Sequence, residues 1–222
     1  VRPSLDTERR IREAAATRTI VFPGPPPVWN TFRSILSLPH AALALRAIHD
    51  TGLLALLIPE WRAVECLVVR DFYHRYTVDE HTLVAVGHIE RLRERHDPPF
   101  RRFSEMLGET PGIALLLTAL LFHDLGKSEG LAGHARASAI AADRTLTWLG
   151  APAEDRAMIV FLVEHHLDLS AIMNSRDLSD PATAAELARR VETLEKLRYL
   201  TLLTYADISA VNPEAMSPWR LE

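Results

Sequence analysis

The sequence predicts an all-α fold on three observations. Apolar residues recur at helical spacing in one segment after another, and no run of alternating β-branched residues bounded by turns occurs. Pro and Gly fall at the ends of the helical stretches. Residues 5–16 form a short, charged, peripheral helix. Pro23, Gly24, Pro25, Pro26 and Pro27 follow, a run that cannot continue a helix and reads as a stiff connector. The expected organisation is therefore an N-terminal helix and connector over residues 1–27 and one helical domain over 28–222.

Within that domain the spacing predicts a helix over 41–49, with Gly52 as its terminator, and another over 78–95 carrying Val84, Ile89 and Leu92. Residues 111–125 read as a helix apolar nearly all round. Helices over 132–149, ending before Gly150, and over 152–167, opening on Pro152, come next. Ser179, Asp180 and Pro181 signal the start of a helix running to Val191, and residues 194–208 give the last long one.

Composition bounds the function. Of 222 residues 48% are apolar and 24% charged, with a net charge of -4, so a sizeable core is available and no basic excess marks a nucleic-acid binder. Arg91, Arg93, Arg95, Arg101 and Arg102 sit among acids and read as a solvated helix face. Cys66 is the single cysteine, which excludes an intrachain disulfide and points to a reducing, cytoplasmic setting. The apolar run over 112–122 is far shorter than the roughly 20 residues a membrane helix needs, so no membrane role is expected.

The chemistry is signalled by ionisable residues that interrupt apolar helices. Leu115 through Phe122 is apolar apart from Thr118, and His123 and Asp124 then arrive together. Asp207 closes the stretch 199–206, His165 and His166 follow the apolar segment 159–163, and His81 lies one turn into the helix that opens at Val78. A buried carboxylate must be paired or bind a cation, because unpaired burial costs several kcal/mol. Imidazole and carboxylate suit first-row divalent metals, and a bridging carboxylate can hold two ions close together. Four separate helices each supplying such a group point to a metal cluster more than to satisfied core residues.

The order His81, His123-Asp124, Asp207, with His134, His165 and His166, resembles the signature of the HD-domain metal-dependent phosphohydrolases. Residues 76–82 (Tyr-Thr-Val-Asp-Glu-His-Thr), 121–127 (Leu-Phe-His-Asp-Leu-Gly-Lys) and 176–181 (Arg-Asp-Leu-Ser-Asp-Pro) narrow the resemblance, with Thr204 through Ile208, Asn212-Pro213 and Trp219-Arg220. Together they are similar to the central HD domain of the bifunctional uridylyltransferase/uridylyl-removing (PII uridylyltransferase) family. That resemblance implies an HD-type helical bundle and hydrolysis of the phosphodiester joining UMP to a PII-type signalling protein, or of another nucleotide phosphoester. It implies divalent cations, two in number and drawn from Mn, Fe, Mg or Zn.

Carried over, His81, His123, Asp124 and Asp207 hold one ion, and Asp124 bridges to a second held by His134 and His166, with His165 ranked below His166. Lys127, three residues after Asp124, is the expected phosphate contact. The family's nucleotidyltransferase features have no counterpart in these residues, so the transferase activity is not expected of the chain. Two other classes fit the same residues: an HD-type di-iron oxygenase and a non-catalytic metal-binding regulatory module. His74 and His88 are read as structural, His40, His49 and His96 as non-ligands, and Trp29, Trp61 and Trp148 as packing residues. Trp219 and Arg220 are read as holding the chain's end against the core.

Overall fold

The computed structural model describes residues 3–17, 28–69, 75–212 and 214–222. The proline run, His74 and Pro213 lie outside them. The described residues are helical and include no β-strand, as the periodicity predicts. The elements are α1 (Leu5–Ala16), α2 (Val28–Ser37), α3 (Ala41–Asp50), α4 (Leu54–Leu57), α5 (Val78–Leu92), α6 (Arg101–Gly108) and α7 (Ile113–Phe122). They continue with α8 (His134–Trp148), α9 (Ala153–Glu164), α10 (Asp168–Ser175), α11 (Pro181–Val191), α12 (Leu194–Val211) and α13 (Pro218–Leu221). Two 3₁₀ segments, Pro59–Ala63 and Leu125–Ser128, punctuate the chain.

α7 is the axis of the bundle because it has no polar face to give to water. Every residue from Ala114 to Phe122 is buried, and its one hydroxyl, Thr118, donates back to the Ala114 carbonyl at 2.7 Å. α2, α5, α9 and α12 pack around it, with α8 laid on α9. Each fully buried Leu in this axis contributes about 1.5–3 kcal/mol relative to exposure, which fixes α7 as the reference against which neighbouring polar groups are held. The terminators are local. Asp180 accepts from the Ala182 amide at 2.8 Å to open α11, Thr193 accepts from the Lys196 amide at 3.1 Å to open α12, and Gly133, at φ 75°, supplies the left-handed turn before α8.

Three helices end earlier than their apolar pattern predicts: α5 stops at Leu92 instead of 95, and the two breaks that follow bear on the site. The segment expected to be helical to residue 125 leaves the α-helix after Phe122, with Asp124 at φ -110° and ψ 5°. The segment expected to run to 167 stops at Glu164, with His165 at φ -104° and ψ 8°. On an unbroken helix, adjacent residues diverge by about 100°. Leaving the helix is what lets His123 and Asp124 face one site together. Trp29 proves more than packing: its indole donates to buried Asp155 at 2.9 Å, beside Arg33 at 2.8 Å, tying α2 to α9.

Candidate metal centre

Five separate positions in the bundle deliver side chains to one corner. His81 comes from the first turn of α5, His123 and Asp124 from the break after α7, His134 from the start of α8, His166 from the turn after α9 and Asp207 from α12. Asp124 is the hub. Its Oδ2 stands 3.3 Å from His123 Nε2 and 3.8 Å from His81 Nε2, while its Oδ1 faces His134 Nε2 at 3.5 Å and His166 Nε2 at 3.8 Å. Asp207 Oδ1 completes the first side, 2.9 Å from His81 Nε2 and 3.6 Å from His123 Nε2. The outcome is two buried groups of ligand atoms, His81-His123-Asp124 and Asp124-His134-His166. Each uses a different oxygen of the same carboxylate.

The histidines are pre-oriented by backbone. His123, His134 and His166 each place Nδ1 on the carbonyl three residues earlier, Leu120, Leu131 and Val163, at 2.7, 2.8 and 2.7 Å. A carbonyl can only accept, so each Nδ1 carries a proton and each ring turns its Nε2 into the cluster. His134 Nε2 and His166 Nε2 then face each other at 3.3 Å. Two lone pairs at that separation repel unless a positive charge lies between them. Two nitrogens on one metal at about 2.1 Å and near-tetrahedral angles stand about 3.4 Å apart. His123 Nε2 is likewise buried and makes no hydrogen bond among the described residues.

The electrostatics agree. Burial alone pushes the carboxyls of Asp124 and Asp207 up, yet the neighbouring His123, aided by Lys127 at the first and His81 at the second, holds both well below the usual carboxylate range. Burial also opposes a charged His123, but the Asp124 and Asp207 carboxylates outweigh it and raise the ring to about 10. The site therefore demands positive charge at that nitrogen. Burial, reinforced by the charge of His123, depresses His166 to about 4, which keeps its ring neutral and ready to ligate. The donor set and its charge thus fit a pair of divalent cations.

His165 goes elsewhere. Its Nδ1 meets Asp168 at 2.8 Å and its ring stacks on Phe161 at 4.6 Å, outside both ligand groups. Lys127 reaches Asp124 Oδ2 at 2.6 Å. It lines a cavity of about 770 Å³ that Asp124, His134, His166 and Asp207 also border. Ser170, Asn174 and Asn212 line the same cavity; Asn212 belongs to the Asn212-Pro213 motif, whereas nothing in the local sequence marks Ser170 or Asn174. Trp219 is 55% exposed and borders the cavity instead of sealing the core. Arg220 does anchor the chain's end, donating to the Ala215 carbonyl at 2.6 Å. His49 accepts the Trp61 indole N–H at 3.1 Å, a structural use. His88 packs edge-on against Tyr205.

An all-α domain with a candidate dinuclear centre is the class that fold and site define. No family model matches the chain. It is similar to the bifunctional uridylyltransferase/uridylyl-removing enzyme of Rhodopseudomonas palustris, 31% identical over 98% of the chain and 24% of that protein. The enzyme of the same name from Phenylobacterium zucineum is 38% identical over 82% of the chain and 19% of its own length. That of Ectopseudomonas mendocina is 36% identical over 79% of the chain and 20% of its own length. The resemblance read from the motifs thus extends over most of the chain, which corresponds to a segment of roughly a fifth to a quarter of these curated relatives.

Proposed function

We propose that the chain is an HD-type phosphohydrolase domain spanning residues 28–222, and that it removes UMP from a uridylylated PII-type signalling protein by cleaving the phosphodiester. The observation that carries the reading is the split use of Asp124, whose two oxygens face two separate sets of imidazoles. His81, His123, Asp124 and Asp207 would hold one divalent cation, and Asp124, His134 and His166 the other. Mn, Fe, Mg and Zn all suit such nitrogen and oxygen donors. When bound, such a pair supplies a water of lowered pKa and positive charge for the phosphoryl oxygens.

The chain's own residues do the rest. The backbone carbonyls of Leu120, Leu131 and Val163 hold three imidazoles in one tautomer, so no reorganisation is needed when ligand arrives. Lys127 places an ammonium where the cluster meets the cavity, as a point charge for a phosphate oxygen. The walls of α7 and α12 exclude water from behind the cluster, which strengthens each of these interactions. Hydrolysis adds water across the bond between phosphorus and the signalling protein's side-chain oxygen, returning UMP and the free hydroxyl.

Lys127 separates this reading from dioxygen chemistry, because an ammonium over the cluster favours an anionic ester. Among the described residues no single helix is long and apolar enough to cross a membrane. The test is release of UMP from uridylylated PII protein by the Mn- and Fe-loaded chain, with oxygen consumption followed in parallel. Metal-dependent UMP release with no oxygen uptake is expected. Oxygen uptake without ester cleavage would overturn the assignment.

A further inference from the structure

We infer that the outer wall of the same cavity is a nucleobase subsite, with Trp219 as its stacking platform and Asn174 as its hydrogen-bonding edge. The inference takes its ligand class from the proposed phosphodiester hydrolysis and deepens it. The cavity, about 770 Å³, far exceeds what a phosphate on the cluster needs and falls in the range that encloses a small organic ligand. Its lining includes buried Asp124 with Lys127 and, at the exposed extreme, Trp219 and Asn174.

Among the described residues Trp219 is the one Phe, Tyr or Trp side chain on that cavity's lining, and it is 55% exposed. Leaving so large an apolar ring open to water forgoes burial worth a few kcal/mol. The segment that carries it is nevertheless fixed. Arg220 donates to the Ala215 carbonyl at 2.6 Å, and Met216 and Leu221 pack on the core. The ring therefore stands on an anchored backbone with more than half of its residue's surface open to a planar partner.

Asn174, on α10, is exposed, and its carboxamide has no hydrogen-bond partner among the described residues. A carboxamide offers a donor and an acceptor side by side, the complement of the imide edge of uracil. An aromatic plane and a bifunctional amide lining one cavity with the Asp124 cluster are the recognition chemistry of a nucleotide.

Calorimetric titration of UMP and of inorganic phosphate tests the subsite directly, using the intact chain and its Trp219→Ala, Trp219→Phe and Asn174→Ala variants. UMP is expected to bind the parent chain at least about ten-fold tighter than phosphate. Trp219→Ala should weaken UMP by about five- to a hundred-fold with phosphate unaffected, and Trp219→Phe should retain most of the affinity. Asn174→Ala should weaken UMP by several-fold, again sparing phosphate. Equal affinity for UMP and phosphate in the parent chain would overturn the inference, as would a Trp219→Ala variant that keeps UMP affinity or loses phosphate equally. Because the measurement needs no turnover, a chain that binds UMP in this way but cleaves no diester counts against the hydrolytic reading alone.

Discussion

At the scale of single residues, the account rests on what adjacent side chains do differently. His165 and His166 are neighbours in sequence, yet one meets Asp168 and Phe161 while the other points at Asp124. His165→Ala should therefore leave kcat within a few-fold of the parent, whereas Asp124→Ala, which removes the shared carboxylate, should lower it by on the order of 10³-fold or more. Lys127→Met should lower kcat/KM by about 10–100-fold while metal content stays unchanged. Ester hydrolysis and metal analysis on the same preparations distinguish these outcomes.

Much of this was legible beforehand, because an acid or imidazole inside an apolar helix is a conspicuous cost. The resemblance ranked His166 above His165, but helical spacing alone could not decide which turns inward, since that depends on α9 stopping at Glu164. Asn174 and Ser170 carried no signal at all, because exposed polar residues on a helix are the common case.

At the scale of elements, the break after α7 is the device that builds the site, and Gly126 permits it. A Cβ there would run into the His134 carbonyl oxygen and come within 2.8 Å of Ala137 Cβ. The Gly126 amide meanwhile donates to buried Ser138 at 2.8 Å, locking the turn to α8. Gly126→Ala must push α8 away and carry His134 with it. Loss of one of the two proposed cations, with the helical circular dichroism retained, is the expected outcome. Sequence periodicity reported α5, α7, α8, α9 and α12 well because each has a long apolar stripe or run. It missed α2, α4, α6, α10 and α13, which are short or lie beside proline and loop segments, and whose helicity comes from tertiary packing more than from pattern.

For the whole molecule, stability should depend on pH through His88, which lies outside the proposed ligand set. His88 is depressed to about 4, first by burial and then by the charges of Arg91 and Arg95. Its pKa in the unfolded chain is near 6.5, so between those values the unfolded state binds the extra proton. Its contribution is full above pH 6.5 and is lost progressively as pH falls through about 4. Urea unfolding at pH 7 and pH 4.5 should show a smaller decline for His88→Gln than for the parent chain. The Trp29–Asp155–Arg33 junction is a second global element. Asp155→Ala leaves the Trp29 indole N–H without its partner and should destabilise the fold by about 1–3 kcal/mol in the same assay.

The most direct test of the whole account is elemental analysis of the purified chain beside its Asp124→Ala and His165→Ala variants. Close to two divalent cations per chain are expected for the parent and for His165→Ala, with both lost or nearly so from Asp124→Ala. A parent chain that binds no stoichiometric metal, or an Asp124→Ala variant that keeps its full complement, would contradict it.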